Sequence, residues 1–425
     1  MLHAQNPDIK KLLLKGNFGM EKETLRIDQN GFMAQTPNPF PNHPNITRDF
    51  CENQVEINTG INPTPQAVVE ELDRYNIEIQ QAAAQSNEFI WPFSNPPYIR
   101  NERDIPVAQF EGELAHKTEY REYLSDRYGR YKMTFSGIHF NYSFDDELLK
   151  ADFKLSDYED FSSYKNDLYV MLAEKAVAYG WLMVAVTAAS PLNDASYVEK
   201  TGMGQDLFLG LSTVRMSELG YWNFFAPILS YDSKRAYAES MQSCIDEGLI
   251  KYPSELYYPI RLKPKGENTL EALRDGDVSH IELRMFDLNP LVKEGVDVRD
   301  VFFAQLFLIW LASTPPEHVS RVDQVQAIQN FKSAAHFDLK TVKIVMPDGD
   351  VDTVDVMALK ILDRMEEFFS GFDDSITQCL AFQRAKFEDQ ENRYAWQIRA
   401  KYSNGFVQKG LDLCRKQQAS YLAKE

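Results

Sequence analysis

Short stretches in which polar and apolar residues alternate recur up to residue 286, and they constrain the fold of this chain more than any other feature. Alternation with a period of two is typical of β-strands, because successive side chains point to opposite faces of a sheet. Strands are predicted on this basis at residues 19–27, 54–58, 132–144, 257–262 and 280–286. Since one face of each strand is polar, the pattern indicates an antiparallel sheet with one wet face and one buried face.

Helical periodicity fills most of the remaining chain. Helices are predicted at about 65–85, 163–189, 232–248, 298–314 and 355–372, and through much of 374–424. No internal repeat, low-complexity tract or linker rich in Gly and Ser marks a domain boundary. We therefore predict an α+β fold with a single catalytic domain over residues 1–425, in which residues 355–425 form a C-terminal helical subregion.

Charge and composition exclude several classes of function. The chain has 63 acidic and 45 basic residues, and its net charge of -18 disfavours binding to nucleic acid or anionic membranes. The N-terminus lacks the features of a signal peptide, and the most hydrophobic run, residues 301–313, is too short to cross a bilayer. The four cysteines have no CxxC spacing, which argues against a disulfide framework or a zinc site. We expect a cytoplasmic protein that contacts neither nucleic acid nor membrane.

The polar faces of the predicted strands carry carboxylates and imidazoles. Strand by strand, these residues are Glu21 and Glu23; Glu52, Gln54 and Glu56; His139, Asn141 and Ser143; and His280, Glu282 and Arg284. Clustered carboxylates raise one another's pKa unless a cation neutralises them. Carboxylates with one imidazole and no thiolate suit magnesium or manganese, which proteins often hold together with substrate phosphates. On this hypothesis Arg284 contacts a phosphoryl group during its transfer.

Each of these patterns also has a simpler interpretation. A Glu-x-Glu pair is more often an exposed strand face than a metal site, and His280 is left outside the ligand set as a wall residue. Alternation alone does not prove that the strands are neighbours in one sheet. The residues by themselves therefore support metal-dependent phosphoryl chemistry as a hypothesis and leave the substrate open.

Several longer motifs carry a resemblance to a known family. They are GMEKETLRI (19–27), TRDFCENQVEI (47–57), WPFSNPPYI (91–99), TEYREYLSDRYG (118–129), SGIHFNYSF (136–144), ASP (189–191), VRMSELGY (214–221), LYYPIRLKP (256–264) and IELRMFDLNP (281–290). Together and in this order they resemble the bacterial glutamate-cysteine ligase family, over residues 15 to 312. That family is similar to glutamine synthetase, so the resemblance implies an antiparallel sheet, backed by helices, that forms a funnel-like active site for ATP and divalent ions.

The resemblance also implies roles for individual residues. The implied metal ligands are Glu21, Glu23, Asp49, Glu56, His139 and Glu282, of which Asp49 is reached through the resemblance alone. The implied pocket for the acceptor amino acid contains Phe50, Tyr120, Leu124, Met133, Arg215, Tyr221 and Tyr257. The implied nucleotide contacts are Arg121, Arg261, Lys263 and Arg284, and Arg284 and Glu282 are the expected catalytic pair.

Two positions depart from the family pattern. Met133 stands where relatives tend to have Gln, and Ala188 stands where a Gly usually precedes the Ala-Ser-Pro motif. Because Met133 belongs to the implied acceptor pocket, the first change is expected to affect the choice of acceptor.

The activity that the resemblance implies is the ATP- and Mg²⁺-dependent ligation of glutamate to cysteine through γ-glutamyl phosphate, the first step of glutathione biosynthesis. The expected partners are therefore the small molecules glutamate, cysteine and ATP. Ligation to a different amine remains an alternative, and so does a non-catalytic sensor of glutamate or nucleotide. Bifunctional relatives append an ATP-grasp module that adds glycine. Because this chain ends soon after its predicted C-terminal helices, it is expected to have no such fused module.

Overall fold

A seven-stranded antiparallel sheet forms the centre of the computed structural model, which describes residues 1–423. Within those residues the strands are β1 (Gly16–Ile27), β2 (Ile46–Arg48), β3 (Gln54–Asn58), β4 (Phe89–Trp91), β5 (Gly137–Phe144), β6 (Leu192–Asp194), β7 (Asp206–Phe208), β8 (Ile260–Pro264), β9 (Val278–Asp287), β10 (Lys343–Val345) and β11 (Val351–Thr353). The central sheet has the order β2-β3-β1-β5-β9-β8, and β4 also pairs with β1. The strands β6 and β7, and β10 and β11, form two small separate pairs.

The helices surround this sheet. In the described part of the chain they are α1 (Pro7–Lys10), α2 (Pro65–Gln85), α3 (Ala115–Tyr128), α4 (Asp146–Phe153), α5 (Phe161–Tyr179), α6 (Trp181–Thr187), α7 (Lys234–Asp246), α8 (Leu270–Asp275), α9 (Val298–Ser313), α10 (Arg321–Ala334), α11 (Val354–Phe368), α12 (Asp374–Glu388), α13 (Tyr394–Tyr402) and α14 (Phe406–Leu422). Most begin at a capping side chain. In α2, for example, the Thr64 hydroxyl accepts a hydrogen bond from the Ala67 amide, and Pro65 occupies the first turn.

The register of the strands brings the predicted polar faces together on one side of the sheet. Glu23 of β1 lies opposite Glu56 of β3, and Glu21 of β1 lies opposite His139 of β5. On the far side of β5, Asn141 pairs with Glu282 of β9. The polar positions of the alternating strands therefore form one continuous polar surface on the sheet.

The opposite face of the sheet is the main hydrophobic core. Apolar side chains from β1, β5 and β9 pack there with α5, α6 and α9, and the hydrophobic run 301–313 is buried inside α9. A second cluster joins β4 to α13 and α14 through Trp91, Phe93 and Phe406. Burial of these aromatic rings ties the C-terminal helices to the sheet.

The predicted fold class, α+β with an antiparallel sheet backed by helices, is confirmed. Several boundaries were wrong. The single helix predicted at 163–189 is two helices, α5 and α6, with a bend of 60° at Gly180. The strand predicted from residue 132 begins at Gly137, because Lys132–Thr134 forms a 3₁₀ turn. Helices α3 and α10 and the hairpin of β10 and β11 were not predicted. The assignment of residues 1–425 to one catalytic domain, with 355–425 as a subregion, stays a prediction.

Among residues 1–423, no single helix combines the length and apolar character of a membrane span; the bent pair α5 and α6 meets both criteria jointly.

Candidate active site

A cavity of about 220 Å³ opens on the polar face of the sheet. It contains almost every residue that the sequence marks as functional. Its lining consists of Glu21, Glu23, Asp49, Phe50, Glu56, Tyr120, Arg121, Leu124, Met133, His139, Arg215, Met216, Tyr221, Ser254, Tyr257, Tyr258, Pro259, Arg261 and Arg284. Of the predicted set, Glu282 and Lys263 do not line the cavity. Glu282 accepts a hydrogen bond from Arg284, which lines it, and Lys263 lies 3.4 Å from Glu282.

Three side chains from three adjacent strands form the tightest acidic group. His139 Nδ1 lies 3.0 Å from Glu21 Oε2 and 3.8 Å from Glu282 Oε1. One potential ligand atom from each of these residues lies within 4.8 Å of the others. Burial lowers the pKa of His139, as does the charge of Arg284, so the imidazole is held in the neutral form that can bind a metal.

The remaining predicted ligands form a second group next to the first. Glu23 Oε1 lies 3.6 Å from His139 Nε2, and Glu23 Oε2 accepts a hydrogen bond from the Gly137 amide at 3.1 Å. Burial, reinforced by the charge of Asp49, raises the pKa of Glu23 well above its usual value and raises that of Glu56 to about 8. Without a cation, this acidic group therefore retains protons near neutral pH.

Two positively charged side chains contact the most buried carboxylate of the cluster. Arg284 Nη1 donates to Glu282 Oε1 at 3.1 Å, and Lys263 Nζ lies 3.4 Å from the same oxygen. Burial alone would raise the pKa of Glu282, but the charges of Arg284 and Lys263 outweigh it and hold that pKa well below its usual value. Glu282 is therefore a permanent anion even though its side chain is completely buried.

The donor set fits a hard divalent cation. The second carboxylate oxygen of Glu282 is buried and has no hydrogen-bond partner, which is a costly state for an ionised oxygen. A cation between Glu21, His139 and Glu282 would satisfy it. Oxygen donors with one imidazole and no thiolate match Mg²⁺ or Mn²⁺ better than softer metals.

Aromatic side chains build the opposite wall of the cavity. The rings of Tyr221 and Tyr257 lie 5.5 Å apart, and the Tyr257 hydroxyl is 4.0 Å from the sulfur of Met133. Phe50 and Leu124 are buried beside them. The wall is therefore apolar, with phenolic hydroxyls as its polar groups.

Arg215 reaches this wall because two glycines leave room for it. A Cβ at Gly137 would lie 2.4 Å from the Arg215 guanidinium carbon, and a Cβ at Gly220 would overlap the Arg215 backbone. Arg215 Nη1 donates to Phe286 O at 3.3 Å, and its Nε is buried without a partner. Arg215 lines the cavity, and a guanidinium in such a position is suited to bind a carboxylate.

Some predicted residues already have backbone partners. Arg121 donates to the carbonyl oxygens of Asp49 and Lys117, and Arg261 donates to those of Ser254 and Leu256. Their assignment as phosphate contacts stays a prediction. Glu52, which alternation places on the same face as Glu56, instead pairs with Arg48 at 3.0 Å and does not line the cavity.

Four lining residues were missed by the sequence reasoning, namely Met216, Ser254, Tyr258 and Pro259. Met216 directly follows Arg215. The other three lie within three residues of Tyr257 along the chain. Their position beside motif residues was the available signal.

The chain is similar to known bifunctional enzymes of glutathione biosynthesis. It is 33% identical over 405 residues to the glutathione biosynthesis bifunctional protein GshAB of Listeria monocytogenes serovar 1/2a, a match that covers 92% of this chain and 52% of that protein. The corresponding protein of Clostridium perfringens is 31% identical over 380 residues, with coverage of 85% and 48%. The chain thus spans about half the length of these curated relatives.

Solved structures share the fold. A bifunctional glutathione synthetase from Pasteurella multocida matches with a TM-score of 0.84 at 25% identity, covering 99% of this chain and 54% of that one. A glutamate-cysteine ligase from Francisella tularensis, solved in complex with AMP, also has a TM-score of 0.84, at 23% identity and with coverage of 96% and 89%.

One expectation from the sequence is contradicted by these relatives. The chain was expected to have no fused ATP-grasp module because of where it ends. The relatives in Listeria and Clostridium are named as bifunctional proteins, and this chain aligns with only about half of each. The position of its last residue therefore gives no ground for that expectation, which was wrong.

The family model for glutamate-cysteine ligase matches residues 2–253 and 244–334. This match includes every strand of the central sheet and all residues named above as candidate ligands, acceptor contacts and cations. It confirms the resemblance inferred from the motifs. The chain therefore belongs to the glutamate-cysteine ligase family.

Proposed function

We propose that this chain catalyses the ATP- and Mg²⁺-dependent ligation of the γ-carboxylate of glutamate to the amine of cysteine. The observation that carries this proposal is one cavity with two unlike sides. One side holds the acidic cluster with Arg284, and the other is an apolar wall with Arg215. A phosphoryl donor needs the first side and an amino-acid substrate suits the second.

A divalent cation is the proposed cofactor. Glu21, His139 and Glu282 would hold it, with Glu23, Asp49 and Glu56 available for further ions. When bound, such a cation neutralises the phosphate oxygens and polarises the phosphorus for attack. The unpaired oxygen of Glu282 and the raised pKa values of Glu23 and Glu56 support this assignment.

A second cavity, next to the first, is the proposed binding site for the nucleotide. It measures about 150 Å³ and shares Ser254 and Arg261 with the first. Its wall contains the apolar residues Met241, Leu270 and Leu273. We propose that the purine base lies in this second cavity and that Arg261, Lys263 and Arg284 contact the phosphates. Arg261 and Lys263 line the second cavity, which supports this placement.

The proposed chemistry has two steps. The γ-carboxylate attacks the γ-phosphorus of ATP, which yields γ-glutamyl phosphate and ADP while Arg284 stabilises the charge that spreads over the transferred group. The neutral amine of the acceptor then attacks the acyl carbon, phosphate leaves, and the amine loses a proton. Neither step requires a nucleophile from the protein.

The acceptor pocket favours a short side chain. Arg215 would bind the acceptor carboxylate, and Tyr257 and Met133 would contact its side chain. The thioether of Met133 is polarizable and can pack against a thiol. Because one methyl or thiol in an apolar pocket contributes only about 1–3 kcal/mol, cysteine should be preferred over alanine or 2-aminobutyrate by roughly 10- to 200-fold.

We also propose a cytoplasmic location and a single catalytic domain. Cys51, Cys244, Cys379 and Cys414 are all free and buried, which suits a reducing compartment. Contacts of the C-terminal helices with β4 support their inclusion in the same domain as the sheet.

The test is the release of ADP from ATP in the presence of glutamate and Mg²⁺, measured across a panel of amino acids. The proposal predicts rapid turnover with cysteine, slower turnover with 2-aminobutyrate and alanine, and little with bulky amines. A preference for a bulky amine would overturn the cysteine assignment. Nucleotide binding without turnover on any amine would instead identify a sensor.

A further inference from the structure

A buried polar cluster lies directly behind the aromatic wall of the cavity. Its central residues, Asn223 and Glu255, are 9% and 0% exposed, and neither lines the cavity. Both are absent from the motif residues that the sequence reasoning selected. A buried amide and a buried carboxylate are costly unless their hydrogen bonds are well satisfied, so their partners indicate what they do.

Asn223 joins three separate segments of chain. Its Oδ1 accepts a hydrogen bond from the Tyr257 amide at 2.8 Å. Its Nδ2 donates to Glu255 O at 2.8 Å and to the Tyr128 hydroxyl at 3.2 Å. One side chain thus fixes the end of α3, the loop after Tyr221 and the turn that carries Tyr257.

Glu255 closes the same network from the other side. Its Oε1 accepts from the Tyr128 hydroxyl at 2.8 Å and lies 2.9 Å from Arg127 Nε, and its Oε2 accepts from the Lys251 amide at 2.7 Å. Both carboxylate oxygens are therefore occupied within the protein. Their partners lie in α3 and in the turn before β8, with no contact to the acidic cluster.

The network reaches the cavity through aromatic rings. The Tyr128 ring packs edge to face against Tyr257, with centroids 5.3 Å apart, and Tyr257 in turn contacts Tyr221. The Tyr257 hydroxyl then faces Met133. The positions of two cavity rings, Tyr221 and Tyr257, consequently depend on Asn223, which is bonded to one of them and is two residues from the other.

We infer that Asn223 and Glu255, with Tyr128, form a clamp that positions the acceptor wall, and that Asn223 and Glu255 are therefore specificity-determining positioning residues. They do not touch substrate. Their role is to hold Tyr257 at the distance from Met133 that admits a short side chain. This inference rests on the proposed function and adds to it the residues that set acceptor selectivity.

The clamp separates the two halves of the reaction. Glutamate and ATP are placed at the acidic cluster, which the clamp does not contact, whereas the acceptor is placed against Tyr257. Loss of the Asn223 hydrogen bonds should allow Tyr257 to shift. The KM for cysteine should then rise about tenfold while the KM values for glutamate and ATP change less than about threefold, because a displaced binding wall weakens only the substrate that contacts it.

The experiment compares Asn223→Ala with Asn330→Ala in the full chain. Asn330 is a suitable control because it is also a buried asparagine, 2% exposed, that does not line the cavity. Its Nδ2 donates to Val345 O at 2.8 Å, and its Oδ1 accepts from the Val345 amide at 3.1 Å. Each variant is assayed for the KM of cysteine, 2-aminobutyrate, glutamate and ATP. The clamp predicts that Asn223→Ala raises the cysteine KM and narrows the preference for cysteine over 2-aminobutyrate, whereas Asn330→Ala changes neither.

An equal rise in the cysteine KM in both variants, or an unchanged cysteine KM in Asn223→Ala, would overturn the inference. If Asn223→Ala does not fold, the variant Tyr128→Phe is used, since it removes only the hydroxyl that bonds to Glu255 and Asn223. A selective rise in its cysteine KM supports the clamp, and an unchanged cysteine KM refutes it. Failure of the proposed function is distinguishable, because the unmodified protein would then show no cysteine-dependent turnover.

Discussion

Glu282 is the residue on which the acidic cluster depends. It is completely buried, yet Arg284 and Lys263 keep it ionised, and one of its oxygens has no partner in the protein. Removing this charge while keeping the shape would leave those cations unpaired and the metal position incomplete. Glu52 is also a glutamate that alternation assigned to a polar strand face, but it pairs with Arg48 outside the cavity.

Glu282→Gln should lower kcat by about 10²-fold or more and raise the concentration of Mg²⁺ needed for half-maximal activity, because a charged ligand is lost at a metal that stabilises the transferred phosphoryl group. Glu52→Gln is the control and should retain activity within about threefold, since its partner is a partly exposed arginine. Titration of Mg²⁺ in both variants measures the effect. Equal activity of the two variants would exclude Glu282 from the metal site.

The raised pKa values of Glu23 and Glu56 predict a pH dependence of metal stabilisation. The pKa of Glu56 moves from 4.5 to about 8 on folding. Between these values the metal-free folded protein binds more protons than the unfolded chain, so this contribution to its stability is present below pH 4.5 and is lost as the pH rises through about 8. Mg²⁺ must displace those protons, so it binds better as the pH rises.

The measurement is the Tm with Mg²⁺ minus the Tm with a chelator, from pH 5 to pH 8. We expect this difference to increase with pH and to be largest near pH 8, where the metal-free protein is losing the proton on Glu56. A difference that is constant, or largest at pH 5, would show that the site does not release protons when it binds the metal.

At the scale of secondary structure, the close packing of helix α14 against β4 depends on one glycine, Gly410. A Cβ at Gly410 would lie 2.3 Å from the Trp91 ring, so the absence of a side chain lets α14 pack against β4. Gly410→Ala should therefore destabilise the protein by about 1–3 kcal/mol, the usual effect of overpacking a core. At an exposed helical site the same change would stabilise by up to about 1 kcal/mol.

Urea unfolding of Gly410→Ala tests this prediction, with Ser420→Ala on the exposed side of α14 as the control. A single cooperative transition at lower urea concentration would also support one domain that includes the C-terminal helices. Stability equal to or greater than that of the unmodified protein would mean that α14 does not pack on the sheet as described.

The elements that the sequence predicted well are those whose pattern arises from one buried face. Strands β1, β5 and β9 alternate because they lie between the core and the cavity, and α2 and α9 have clear starts at Thr64 and Asp297. Helix α3 was missed because only Leu124 in it is buried, so it has no apolar stripe. Alternation also failed at Glu52, which precedes β3 and lies in the turn at residues 52 and 53.

The candidate site shows the same division. Glu21, Glu23, Glu56, His139 and Glu282 could be selected from strand alternation, since each lies on a regular strand. Asp49 and the acceptor wall lie in loops and in α3, where no periodicity reports which way a side chain points, and only the family motifs indicated them. The clamp at Asn223 and Glu255 gave no signal, because its hydrogen bonds join segments that are distant in sequence.

At the scale of the whole molecule, the sheet divides the chain into a hydrophobic core and a reactive face. The core behind it holds the strands in register, and that register places ligands from β1, β5 and β9 within reach of one cation. Loops and α3 then enclose the acceptor side. The proposed ligation requires that a phosphoryl group is transferred to glutamate before the amine attacks.

The most direct test of that requirement uses glutamate labelled with ¹⁸O in its γ-carboxylate, with ATP, Mg²⁺ and cysteine. Formation of γ-glutamyl phosphate predicts that each dipeptide formed is accompanied by ADP and by one phosphate that carries a single ¹⁸O atom. Mass spectrometry of the phosphate and the dipeptide measures both. Unlabelled phosphate, or AMP with pyrophosphate in place of ADP, would contradict the proposed mechanism.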